Sequence, residues 1–84
     1  MYEIEVRIVL KKGVADPEGA NTAKALKLLG FSDIKDVKSA KLFRIFLDAD
    51  DGERAEARAR EMCDQLLANP VIHDFDINVK EGKA

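Results

Sequence analysis

The sequence has no tryptophan, one cysteine and one histidine among its 84 residues. A single cysteine cannot form an internal disulfide, and one Cys with one His cannot supply the three or four converging ligands of a zinc site. The longest apolar runs span three residues, as at Ile8–Leu10, whereas a membrane helix needs roughly 18. We therefore expect no metal site, no membrane partner and a cytoplasmic location.

An excess of basic charge is also lacking. Fourteen Lys and Arg against sixteen Asp and Glu give a net charge of −2, so nucleic acid is not an expected partner. The length suits one domain, residues 1–84. Domains of this size bury only about 60 to 65% of the surface that the unfolded chain exposes, so self-association is a plausible source of added stability.

Apolar and polar residues alternate in three regions, whereas two others have the spacing of amphipathic helices. The predicted elements are strand 2–11, helix 17–29, strands 35–39 and 41–47, helix 52–68 and strand 71–79. This β-α-β-β-α-β order is that of the ferredoxin-like, or split βαβ, fold. We predict an α+β domain with an antiparallel-rich sheet, two helices on one face and a frayed tail at 81–84.

Each predicted helix has an acidic N-cap and an apolar stripe. Asp16 caps the first, and either Asp50 or Asp51 caps the second. The first stripe consists of Thr22, Ala23, Ala25, Leu26 and Leu29, and the second of Ala55, Ala59, Met62, Cys63, Leu66 and Leu67. Both stripes are predicted to face the sheet.

Reactive side chains do not cluster along the chain. Cys63 lies beside Met62 and Leu66, so we interpret it as a packed, inert thiol. His73 shares a strand face with apolar residues, and we interpret it as partly buried there. The acidic segment Asp48–Glu53 resembles a calcium loop but has Ala59 where the bidentate Glu belongs. We predict no catalytic, cofactor-binding or metal-binding residue.

Two glycines flank the start of the first helix. Gly19 in the first turn lowers helix propensity by about 1 kcal/mol unless the absent side chain leaves needed room. Either another group approaches this turn closely, an anion at the helix N-terminus being one example, or Gly13 and Gly19 serve only the local backbone. The sequence leaves both interpretations open.

Apolar residues also fall on the strand face that the helices leave uncovered. They are Val9, Leu42, Phe46 and Ile72. A contiguous patch of this kind typically marks an interface, so we predict at least a homodimer.

Three segments resemble the PurS family, the small subunits of phosphoribosylformylglycinamidine (FGAM) synthase. They are Ala15–Gly19, Ala25–Phe31 and, most specifically, Cys63–Ile72 with the sequence CDQLLANPVI. The resemblance covers the whole chain. It departs at His73, where the family usually has an acid, and at Ala40-Lys41, where a Gly-Lys pair is usual.

The resemblance implies a non-catalytic subunit in purine biosynthesis. In that family a large synthetase subunit binds ATP and Mg²⁺, a glutaminase subunit releases ammonia, and the small subunit holds the two together as a dimer or tetramer that can exchange strands between protomers. We expect contacts with these partners or within the oligomer at Asp16, Pro17, Gly19, Leu42, Phe46, Asn69, Pro70 and Ile72.

Two other functions share the predicted element order. An ACT-type amino-acid-binding module typically has an Asp-x-Pro-Gly turn after its first strand, to which Asp16-Pro17-Glu18-Gly19 is partly similar. A small acyl- or phosphohydrolase would need an Arg near residues 13–19 to hold an anion, and none is present.

Overall fold

The computed structural model describes residues 1–81. Its elements are β1 (Tyr2–Leu10), α1 (Pro17–Leu28), β2 (Ala40–Leu47), α2 (Gly52–Met62), a π-helical segment (Cys63–Leu67) and β3 (His73–Glu81). The three strands form one antiparallel sheet in the order β2-β1-β3. The α+β class is confirmed, with a smaller sheet than predicted.

The core lies on one face of the central strand. Ile4, Val6 and Ile8 of β1 alternate with charged residues and turn toward α2, where they are almost completely buried. The register places Ile45 of β2 and Val79 of β3 opposite Ile4, so the neighbouring strands extend the same apolar layer. The alternation in the sequence therefore predicted the inner face of the sheet correctly.

Helix α2 covers this layer with small residues. Ala55, Ala59 and Cys63 are completely buried against the sheet, and their short side chains let the helix axis approach the strands closely. Asp51 caps the helix, because its carboxylate accepts a hydrogen bond from the Arg54 N–H at 2.9 Å. Of the two predicted caps, the structure therefore uses Asp51.

A π-helical turn ends this helix and corrects its predicted stripe. The Ala68 N–H donates to the Cys63 carbonyl at 3.0 Å, five residues back. This wider turn keeps Leu67 partly buried but rotates Leu66 outward, where it is 84% exposed. The prediction that Leu66 is a core residue was wrong because it assumed α-helical spacing.

Helix α1 does not cover the sheet as predicted. Gly19 is its only buried residue, and Leu29, at its C-cap, is 75% exposed. The described chain measures 50 × 30 × 15 Å and has a Cα radius of gyration of 16.2 Å, against about 12 Å for a compact domain of this length. The helix is an arm projecting from the sheet, so the prediction of two helices on one face was wrong.

The predicted strand 35–39 is absent. Its backbone donors are bound by side chains instead: the Ser39 N–H donates to Asp16 Oδ2 at 2.7 Å and the Val37 N–H to Asp36 Oδ1 at 2.9 Å. These bonds satisfy donors that a strand would have paired with a neighbour. The predicted strands 35–39 and 41–47 therefore do not pair, and β2 is an edge strand in the described chain.

The last strand begins two residues later than predicted, at His73, because a turn occupies residues 69–72. At its other end Glu81 still belongs to β3, so the predicted frayed tail does not begin at this residue. The rest of that tail, residues 82–84, lies outside the described residues. Within residues 1–81, no helix has the length and apolar character needed to span a bilayer.

The close approach of α2 predicts a steep penalty for a larger residue on its buried face. We expect Ala59→Leu to lower the free energy of unfolding by about 1 to 3 kcal/mol, because the added atoms must displace the sheet. Ala57→Leu is the matched control, since Ala57 is exposed on the same helix, and should change stability by less than about 0.5 kcal/mol. Urea unfolding at one protein concentration measures both; equal losses would contradict this packing.

Candidate interaction surfaces

Hydrogen bonds from Gly19 and Ser39 to the Asp16 carboxylate, which we call the Asp16 latch, join the start of α1 to the segment before β2. Asp16 Oδ1 accepts hydrogen bonds from the Gly19 N–H at 2.9 Å and from Ser39 Oγ at 2.7 Å. Asp16 Oδ2 accepts from the Ser39 N–H at 2.7 Å. One carboxylate thus caps the helix and fixes a residue 23 positions away.

The latch also explains the glycine in the first turn of α1. A Cβ at position 19 would clash with the backbone carbonyl oxygen of Val37 and crowd the Asp16 carboxylate. The group that approaches Gly19 closely is therefore part of the same chain. Gly13 has a different reason, because its φ of 88° lies in the left-handed region that favours glycine.

The latch lowers the pKa of the Asp16 carboxyl below its ordinary value. The hydrogen bond from the Ser39 hydroxyl is the largest cause, followed by those from the Ser39 and Gly19 N–H groups. A carboxyl group whose pKa is lowered by folding stabilises the folded state at every pH above its pKa in the unfolded chain. This stabilisation is lost as the pH falls through the pKa of the carboxyl group in the folded state. The latch is therefore complete at neutral pH and lost only in acid.

The outer face of the sheet carries paired charges. Arg44 Nε lies 2.8 Å from Glu3 Oε2, and Lys80 Nζ lies 2.7 Å from Glu5 Oε1. Arg7 pairs with Asp76 at 2.7 Å. The hydrogen bond from Arg44 is the main cause that lowers the pKa of the Glu3 carboxyl. The hydrogen bond that Lys80 donates to Glu5 is the main cause that raises the pKa of Lys80.

The charged pairs interrupt the apolar patch predicted on this face. Leu42 and Phe46 are 58% and 52% exposed on β2, but Arg44 lies between them with its guanidinium 5.5 Å from the Phe46 ring centroid. Val9 is only half-exposed, and Ile72 lies in the turn before β3 rather than in a strand. Arg44 thus separates Leu42 from Phe46 along β2, and Ile72 lies outside the strands that carry the other three residues.

A larger apolar surface lies at the end of α1. Leu28 and Leu29 are 81% and 75% exposed, and Phe31 just beyond them is 52% exposed. Sequence reasoning missed this surface because it assigned Leu29 to a sheet-facing stripe. A signal was present, since apolar side chains lie on more than one side of this helix and do not form a single narrow stripe.

The turn at residues 69–72 is held by local hydrogen bonds. Asn69 Oδ1 accepts from the Val71 N–H at 2.9 Å, and His73 Nδ1 accepts from the Asn69 N–H at 2.9 Å. The Lys11 N–H donates to the Ile72 carbonyl at 2.8 Å, which ties the turn to the end of β1. Asn69 and Pro70 are exposed and Ile72 is half-buried, so the turn presents a mixed surface.

Cys63 is the one thiol of the chain, and its surroundings make it unreactive. It is completely buried under the sheet, and burial is the main cause that raises its pKa, with Asp64 adding to the effect. A thiol kept protonated is a poor nucleophile. Within residues 1–81 no three His, Cys, Asp or Glu side chains are placed to hold a metal ion.

The predicted contact residues thus fall into separate regions. Asp16, Pro17 and Gly19 lie at the latch, Leu42 and Phe46 on the outer face of β2, and Asn69, Pro70 and Ile72 at the turn before β3. Asp16 and Gly19 are occupied by internal contacts, whereas Pro17, Leu42, Phe46, Asn69 and Pro70 are exposed. The arrangement suits noncovalent docking through several surfaces.

Comparison with known proteins gives one consistent family. Residues 3–81 match the family described as PurS, phosphoribosylformylglycinamidine (FGAM) synthase. A PurS subunit of this synthase from Archaeoglobus fulgidus is 53% identical over 77 residues, which cover 92% of this chain and 96% of the relative.

Solved structures share the fold. The crystal structure of PurS from Methanocaldococcus jannaschii, one of the subunits of formylglycinamide ribonucleotide amidotransferase, has a TM-score of 0.91 and 43% identity, covering 99% of this chain and 100% of that chain. A chain in the structure of PurLQS from Thermotoga maritima has a TM-score of 0.85 at 20% identity, with 94% and 96% coverage. The latter likeness concerns the fold alone.

Because Gly19 lies so close to Val37, we predict that alanine at position 19 destabilises the protein, although alanine normally stabilises a helix relative to glycine. Ala is favoured over Gly in a helix by about 1 kcal/mol, yet Gly19→Ala should destabilise the protein because the new Cβ forces the Val37 carbonyl and the latch apart. Gly52→Ala is the matched control, because its Cβ would meet ordinary contacts at 3.8 Å or more, and should be neutral or stabilising by up to about 1 kcal/mol. Thermal unfolding distinguishes them; a stabilised Gly19→Ala would refute the contact.

Proposed function

Because the chain belongs to the PurS family of FGAM synthase subunits, we propose that it is a non-catalytic accessory subunit that holds a glutaminase subunit against a large synthetase subunit. The observation that carries this proposal is the family match over residues 3–81. The complex would convert formylglycinamide ribonucleotide, glutamine and ATP into FGAM in purine biosynthesis.

The proposed contribution to this reaction is proximity. Ammonia released by a glutaminase is diluted in water unless the acceptor site lies close by, and a fixed arrangement of the two larger subunits shortens the transfer. ATP and Mg²⁺ are expected on the synthetase subunit, with no cofactor on this chain. The inert, buried thiol of Cys63 supports a role without covalent chemistry.

The proposed hetero-subunit contacts use the exposed members of the predicted set. Leu42 and Phe46 offer apolar area beside paired charges on the outer sheet face, and Asn69 and Pro70 offer the turn before β3. Asp16 and Gly19 contribute indirectly in this proposal, because their internal contacts hold the start of α1 in place.

Self-association is proposed to cover the end of α1. Leu28, Leu29 and Phe31 protrude from an arm that the chain's own sheet leaves unsupported, and Phe43 of β2 is also 37% exposed. A second copy can bury such surfaces reciprocally, as an isologous dimer requires. Several exposed apolar side chains close together at the end of one arm support a dimer or tetramer more than they support an independent monomer.

Reconstitution tests the accessory role. The three subunits together should form FGAM from glutamine, whereas omission of this chain should abolish the glutamine-dependent reaction and largely spare the reaction with added ammonium. The Leu42→Ser/Phe46→Ser variant should need a higher concentration for half-maximal activity, with Lys24→Gln on exposed α1 as the control. An equal glutamine-dependent rate without this chain would sink the proposal.

Light scattering tests self-association. The isolated chain should have a mass of at least twice its 9.3 kDa. Leu29→Glu with Phe31→Ser should shift it toward the monomer, because a charge and a hydroxyl replace apolar contact area, whereas Lys24→Gln should not. A monomeric wild type, or a variant that associates as strongly as the wild type, would rule out this interface.

A further inference from the structure

The side chain of His73 acts as a hydrogen-bond acceptor. Its Nδ1 accepts the Asn69 N–H at 2.9 Å, while its own backbone N–H donates to the Asn69 carbonyl at 2.8 Å. A ring nitrogen can accept only when it carries no proton, so this bond exists only with neutral imidazole, protonated at Nε2. The residue therefore closes the turn at 69–72 in one protonation state.

We propose that His73 is a pH-sensitive latch that closes the turn at residues 69–72 when its ring is neutral and releases the Asn69 N–H when the ring takes up a second proton. In the protonated ring Nδ1 is a donor and faces another donor, so the bond is lost. Imidazole is the side chain that changes charge near neutral pH. The carboxylate latch at Asp16 does not depend on this ring and remains closed at neutral pH.

His73 lines two concavities together with charged residues from the neighbouring elements. One is also lined by Lys11 at the end of β1, Cys63 and Asp64 of the π-helical segment and Asp74 of β3, and the other by Glu18 of α1 and Lys41 of β2. Three of these side chains are carboxylates and two are ammonium groups, so charges of both signs line the concavities that His73 shares.

The released turn would be held less firmly but not set free. The Lys11 N–H still donates to the Ile72 carbonyl at 2.8 Å and Val71 to Asn69 Oδ1 at 2.9 Å. Loss of the side-chain hydrogen bond is thus confined to residues 69 and 73, which lie between the π-helical segment and β3. Any effect on partner docking through Asn69 and Pro70 rests on the proposed function, whereas the latch itself does not.

Nuclear magnetic resonance on the isolated full chain tests the latch. Between about pH 8 and pH 5, the His73 ring signal and the Asn69 amide signal should follow one titration curve, and the exchange protection of the Asn69 amide should fall about five- to tenfold. The Val6 amide in the central strand should keep its protection. A His73 ring that titrates without affecting Asn69, a ring that does not titrate in this range, or parallel loss at Val6 would overturn the proposal.

Two substitutions test whether the pH response requires the histidine ring or only a hydrogen-bond acceptor at position 73. In His73→Asn the amide Oδ1 can take the place of Nδ1, since both atoms are one bond from Cγ, and Asn69 should stay protected at every pH in the range. His73→Ala removes the acceptor, so Asn69 should be unprotected throughout. A pH-dependent Asn69 amide in either variant would show that another group is responsible and would refute the latch.

Discussion

The contact between α2 and the central strand is the constraint on which the rest of the structure depends. Ile4, Val6 and Ile8 supply the branched apolar layer, and Ala55 and Ala59 let the helix lie directly on it. This small core stabilises the half of the chain that α2 covers, whereas Phe43 of β2 and the apolar side chains at the end of α1 remain exposed. Helix α1 projects as an arm and buries only Gly19, so the sheet surface beside β2 lacks a helical cover of its own.

The sequence predicted those parts of the fold in which pattern and packing agree. Alternation gave the inner face of β1, and the spacing of Ala55, Ala59 and Cys63 gave the buried stripe of α2. Segment 35–39 resembled a strand, but its Val37 N–H is bound by the adjacent Asp36 and its Ser39 N–H by Asp16, which lies 23 residues away. Local patterns carry no information about a bond over that separation, so the missing strand and the projecting α1 could not be predicted.

The candidate surfaces were predicted less completely than the fold. Leu42 and Phe46 were correctly expected to be exposed, yet the cross-strand register that places Arg44 and Glu3 among them is a property of pairing. The exposure of Leu66 depends on a π-helical turn that apolar spacing does not reveal. For Gly19 the sequence left open whether another group approaches it closely, and only the structure identifies the Val37 carbonyl as that group.

The ion pairs on the outer face also favour the correct register of the strands during folding. Arg44 pairs diagonally with Glu3, and Lys80 pairs diagonally with Glu5, so a strand that slipped by one position would turn its charged side chains toward the core and lose its ion pair. Incorrect alignments are thereby penalised on both surfaces of the sheet at once. A domain with so small an interior is in this way protected against a slip of its strands by one residue.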